Sequence, residues 1–107
     1  MRKQDLVKSV AEQVNVSESQ ANAVISAVFS TIENALVEDA AKADKDRAGV
    51  AISGFGSFKV VYRPEREGRN PQSGSPMTIA ARYSPTFTPG TQLKRSVNGG
   101  ADSSDDE

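Results

Sequence analysis

Three arginines recur at intervals of three, Arg63, Arg66 and Arg69, and the last leads directly into Asn70 and Pro71. A guanidinium is permanently charged and offers a planar fork of donors that matches phosphate oxygens. It also suits the narrow, negative minor groove of a duplex, where an asparagine amide reads acceptors and a proline ring wedges between base pairs. Glycine, asparagine and proline are equally ordinary turn formers, so the same residues also read as a solvated hairpin tip. Pattern alone leaves both readings open. Covalent chemistry has few candidates: the chain contains no cysteine and no histidine, which removes thiol nucleophiles, His-based triads and zinc ribbons. Glu65 and Glu67 sit in the same polar stretch, with no expected pocket to perturb them. An enzyme, a metal site, a cofactor and a small-molecule substrate are therefore not expected.

Charge distribution sharpens the choice. The formal net charge of the 107 residues is −1. Residues 1–58 carry six basic and eight acidic side chains, residues 59–100 seven basic and two acidic, and residues 101–107 four acids and no base. A ligand feels the local field, so the basic segment outweighs the overall balance. No apolar run reaches the roughly 18–20 residues of a membrane span. Met1-Arg2-Lys3-Gln4-Asp5 has no apolar signal core behind it, so a soluble intracellular protein is expected.

Something must hold the arginines in place. Arg63 to Pro76 is a run of fourteen residues without a core-forming side chain. Stretches this long inside small domains are functional or disordered as a rule. Strand character flanks it, in Ser57–Tyr62 on one side and in Met77–Ile79 and Tyr83–Phe87 on the other. If these strands continue as a ribbon, Tyr62 to Asn70 reaches about 25 Å at roughly 3.3 Å per residue. That predicts an arm whose tip presents Arg63, Arg66 and Arg69.

Upstream, Leu6, Val7, Val10, Ala11 and Val14 predict a helix over about 3–14, interrupted by Asn15-Val16. Ser17 to Gln20 reads as a capping box, and Ala21, Val24, Ile25, Val28, Phe29, Ile32 and Leu36 sustain a second helix to about Glu38. Asp39–Gly49 reads as a loop or frayed helical extension. A short strand at 50–53 follows, then a turn at Gly54-Phe55-Gly56. That glycine pair resembles a phosphate cradle only weakly; a tight turn holding Phe55 and Phe58 in the core is preferred. Thr88 and Pro89 predict the N-cap and first residue of a last helix, with Leu93 and Val97 inward and Lys94 and Arg95 outward. Residues 101–107 have the composition of a disordered acidic tail.

The run GFGSFKVVYRPEREGRNPQSG, followed by TFTPG and Leu93-Lys94, resembles the HU/IHF family of bacterial histone-like DNA-bending proteins over residues 1–98. The resemblance implies an α+β intertwined dimer: a helical-hairpin base, an antiparallel sheet saddle with long β-ribbon arms, and a short C-terminal helix. It implies a DNA-binding domain over 1–98 with the arm at about 60–82, while composition alone leaves 99–107 as a disordered acidic tail. Pro71 would intercalate, with Arg69 and Asn70 in the minor groove beside it. Arg63 and Arg66 would line the arm together with Lys59 and Arg82. Lys3 and Lys94 would meet phosphates on the flank, and Gly54, Gly56 and Ser57 would sit at the saddle.

The implied partner is double-stranded DNA, bound with little sequence specificity and bent or compacted, with nicked, bent or junction DNA preferred. A homodimer is expected, with a heterodimer left open. The implied location is cytoplasmic and nucleoid-associated, in a bacterial, phage or organellar setting. Two alternatives stand beside it: a site-specific IHF-like subunit, and a protein-interaction module suggested by the negative net charge. The sequence departs from the family in Thr88, Thr91 and Glu67, where basic residues are common, in a longer 39–46 loop and in the acidic tail. Each phosphate left without a basic partner lowers the salt slope of duplex binding by about 0.9.

Overall fold

A computed structural model describes residues 1–100; the expected acidic tail at 101–107 lies outside the described residues. Two compact units divide the chain, Met1–Asn34 and the part from Ala35 onward. The elements are α1 (Lys3–Val14), α2 (Glu18–Ala40), a 3₁₀ turn at Asp44–Asp46, β1 (Val50–Ile52), β2 (Gly56–Arg63), β3 (Arg66–Arg69), β4 (Pro76–Ile79), β5 (Arg82–Pro89) and α3 (Thr91–Val97).

In the first unit, the stop between the helices is built into Asn15, whose φ of 58° is left-handed. Asparagine tolerates that conformation, and Val16 N–H closes the turn on the Ala11 carbonyl at 3.0 Å. The capping box forms as expected. Ser17 N–H donates to Gln20 Oε1 at 3.1 Å, and Gln20 N–H to Ser17 Oγ at 3.0 Å. Val7, Ala11, Ala21 and Ile25 are buried together, with Leu6 and Val10 packed against them. The apolar stripe of α2 is wider than α1 covers. Val24 is 60 %, Val28 48 % and Phe29 51 % exposed in the single chain.

In the second unit, β1, β2 and β5 form an antiparallel sheet in that order, and β3 pairs with β4 as a separate ribbon. β2 and β5 stay paired from Gly56↔Pro89 to Arg63↔Arg82. Pairing stops where Pro64 removes a backbone donor and resumes at Arg66↔Ile79. Both strands advance by three residues between those two pairs, so the register survives the interruption.

Three expectations need correction. Thr88 and Pro89 do not open α3: both belong to β5, where Thr88 pairs with Ser57, and Gly90 is the N-cap. The ladder extends through residues whose local preference is helix initiation. β5 is a sheet edge, where proline is tolerated. Val97 is 77 % exposed in the single chain rather than inward-facing, while Leu93 is half-buried. Phe55 is 46 % exposed in the single chain and so is not core within it; it leans on Phe87, ring centroids 5.5 Å apart, and Phe87 meets Phe58 at a tilt at 4.9 Å.

Candidate nucleic-acid interface

Side chains alternate along a strand, and directly paired residues share a face. The β2–β5 register therefore sorts the sheet in two. Phe58, Val60 and Tyr62 share one face with Phe87, Pro85 and Tyr83. Ser57, Lys59, Val61 and Arg63 share the other with Thr88, Thr86, Ser84 and Arg82. Apart from Val61 the second face is a row of hydroxyls and cations, whereas the first carries the buried positions of the strand, Gly56 and Val60.

Arg63 and Arg82 stand directly opposite each other. Like charges in that relation destabilise a sheet. Among the described residues the ion pairs are Lys42–Asp39 and Arg47–Asp44, both in the 39–47 segment. None of the seven basic side chains from Lys59 to Arg95 is neutralised by a described carboxylate. A face of this kind is unfavourable alone and becomes favourable against a polyanion.

Beyond Pro64 the ribbon carries Arg66 opposite Ile79 and Arg69 opposite Pro76. Arg63 is thus at the root of the arm rather than at its tip, Arg66 is midway, and Arg69 stands next to the tip. The tip is closed by its own hydrogen bonds. Asn70 N–H donates to the Ser75 carbonyl at 2.9 Å, and Gly74 N–H to the Asn70 carbonyl at 2.7 Å. Asn70 Oδ1 accepts from Gln72 N–H at 2.8 Å, an Asx turn that arches over Pro71. Arg69 Nη1 donates to the Gly74 carbonyl at 2.8 Å, drawing the guanidinium across the loop mouth. Gly74 takes a φ of +73°, which this closure requires and a Cβ would strain. Pro71 is exposed on the outside of this turn.

The other expected positions lie apart from the arm. Gly54 occupies the exposed β1–β2 turn with a φ of +81°. Gly56 is buried beneath Phe87; a Cβ there would meet that ring at 2.7 Å and the Thr88 carbonyl at 2.6 Å, so packing alone demands the glycine. Ser57 is half-buried on the cationic face, and Lys94 is half-buried on α3. Lys3, in the first unit, donates from Nζ to Ser26 Oγ at 2.8 Å, a neutral acceptor that leaves its charge uncancelled. Sequence reasoning missed Ser84 and Thr86 as neighbours of Lys59 and Arg63. Alternation in two strands reveals them only once the register is known.

A basic, hydroxyl-lined sheet face that runs into a ribbon arm defines a β-ribbon reader of nucleic acid. Comparison with known proteins agrees. Residues 1–98 match the family described as bacterial DNA-binding protein. The chain is 44 % identical over 98 residues to DNA-binding protein HU-1 of Halalkalibacterium halodurans, covering 92 % of this chain and all of the relative. Anabaena HU, solved as a co-crystal with DNA, superposes with a TM-score of 0.77 at 38 % identity, covering 91 % of this chain and 97 % of that one. A mutant of HU from Thermotoga maritima, at 24 % identity and a TM-score of 0.61, shares the fold, covering 91 % and 99 % of the two chains. The chain belongs to the HU/IHF family of bacterial histone-like DNA-binding proteins. That family is architectural, non-enzymatic and nucleoid-associated in the bacterial cytoplasm, and those coarse expectations hold for this member.

Proposed function

We propose that the protein binds duplex DNA with little sequence specificity, as a dimer, and bends or compacts it by inserting Pro71 from each arm tip into the minor groove. Residues 1–98 are the DNA-binding domain, the arm runs from about 60 to 82, and 99–107 follow as an acidic segment. The observation that carries this reading is the uncompensated cationic face, with Arg63 and Arg82 held side by side, leading to a tip that exposes Pro71. Lys59, Arg63, Arg66 and Arg82 neutralise phosphates along the arm and its root. Arg69 and Asn70 enter the minor groove beside the proline, while Lys3 and Lys94 hold the flanking duplex. Gly54, Gly56 and Ser57 bring backbone close to phosphate at the saddle.

In minor-groove architectural proteins, HU and IHF among them, wedging costs a few kcal/mol per step and is offset by the contacts a bent duplex allows. A nick, gap or junction has already lost part of that stiffness, so such substrates are preferred. Uncovered Val24, Val28 and Phe29 on α2 support pairing with a second copy. The test is a gel-shift titration of the wild type and Pro71→Ala on intact, nicked and junction DNA at two salt concentrations, with bending read by end-to-end energy transfer. Salt-sensitive binding, tighter on distorted DNA, with bending lost in Pro71→Ala, is expected. Full bending by Pro71→Ala would reject the wedge, and no binding at low salt would reject DNA as the partner.

A further inference from the structure

The 39–49 segment is built rather than loose. Asp39 is 4 % exposed, the buried charged residue of the described chain. Its Oδ2 accepts from Gly49 N–H at 2.9 Å, and its carbonyl accepts from Arg47 Nε at 3.0 Å. The same Nε reaches the Lys42 carbonyl at 3.2 Å, so the guanidinium is clamped on its own segment. Only 10 % of the Arg47 side chain is exposed, and its Cζ lies 5.3 Å from the centroid of the Tyr83 ring. Tyr83 meets Tyr62 edge-on at 5.3 Å, and those two are direct cross-strand partners.

That pair is one rung short of Arg63↔Arg82, after which the ladder stops at Pro64. Tyr62 and Tyr83 lie on the sheet face opposite Lys59, Arg63 and Arg82. Arg47 therefore holds the arm root from behind and is directed away from the cations that meet DNA. From this juxtaposition we infer that Arg47 is a positioning residue: the Asp39–Arg47 segment braces the root of the arm through the Tyr83 ring, limiting the directions in which the arm swings before DNA arrives. The inference rests on the arm-binding reading above. It needs only the ring face, which a phenylalanine also supplies, and a cation held over that face. Pre-ordering an arm lowers the ordering cost at binding.

The test compares Arg47→Met, Tyr83→Leu, Tyr83→Phe and the double variant Arg47→Met/Tyr83→Leu in the full chain. Amide hydrogen exchange is read at Val61, Arg63 and Ser84, with Val10 and Ile25 of the helical hairpin as controls. Arg47→Met and Tyr83→Leu are each expected to raise exchange at the root by about 2- to 5-fold, the range of one cation–ring contact. The controls stay unchanged, and affinity for intact duplex falls by a similar factor. Tyr83→Phe behaves as wild type, and the double variant is no worse than either single one.

Unchanged root exchange in Arg47→Met, or additive effects in the double variant, overturns the brace. A Tyr83→Phe variant that behaves like Tyr83→Leu also overturns it, since the hydroxyl and not the ring would then matter. If the wild type fails to bind DNA while root exchange still responds, the functional reading falls and the brace stands.

Discussion

Asn70 has two separable tasks at the arm tip. Its Oδ1 is spent on Gln72 N–H, inside the turn, so only the Nδ2 donors remain for a groove acceptor. Asn70→Asp keeps the turn acceptor, deletes those donors and adds a charge that a duplex repels. Asn70→Ala deletes both functions. We therefore expect Asn70→Asp to leave exchange of the Gln72 and Gly74 amides near wild type while weakening DNA binding at least as much as Asn70→Ala does. Loosening of the tip in Asn70→Asp would show that the Asx turn is not what holds Pro71. Arg69 is likewise committed in part, since Nη1 is given to the Gly74 carbonyl, leaving the rest of its fork for DNA. The composition of this tip is legible in the sequence, as Gly, Asn and Pro in a polar run. The division of labour within Asn70 is not, because it depends on which backbone donor the closed loop brings to the side chain.

At the scale of elements, Gly56 shows how tightly the sheet is tied to the aromatic cluster. Gly56→Ala drives a Cβ against the Phe87 ring and a backbone carbonyl that has little room to yield. Overpacking of this kind costs about 1–3 kcal/mol, to be read as a lowered denaturation midpoint in urea, with an unchanged midpoint refuting the clash. α1, α2 and the capping box between them are readable from the sequence, because local preference and burial agree there. The start of α3 is misleading because they disagree: Thr88-Pro89-Gly90 has the chemistry of a helix entry, yet the ladder claims the first two, and Gly90 N–H goes to the Phe55 carbonyl at 2.8 Å. Arg63 reads as a tip residue for a related reason. Spacing alone does not reveal that β2 pairs with β5 as far as residue 63.

At the scale of the molecule, the buried apolar set among the described residues is small: Val7, Ala11, Ala21, Ile25 and Val60. None of these is a large aromatic. A domain of this size needs more burial than that to outweigh chain entropy, and exposed apolar side chains such as Val24, Val28 and Phe29 on α2 are surface that could supply it. If a second copy covers them, folding and association are one reaction, and the thermal midpoint rises with protein concentration. Scanning calorimetry across a hundredfold concentration range is expected to show that rise, and a midpoint independent of concentration would argue for a stable monomer. The stripe itself is visible in the sequence. That one face of α2 stays uncovered is not, since periodicity says which residues are apolar and nothing about what reaches them.

The matched three-residue advance of the two strands across Pro64 has an evolutionary side. Deleting one residue from each strand would turn every distal side chain to the opposite face. Deleting or adding two on each strand preserves the faces and changes reach by about 7 Å, near the span of two base pairs. Changes of arm length that keep the same side chains on the same faces therefore come in even steps, and an odd one needs a bulge to restore them.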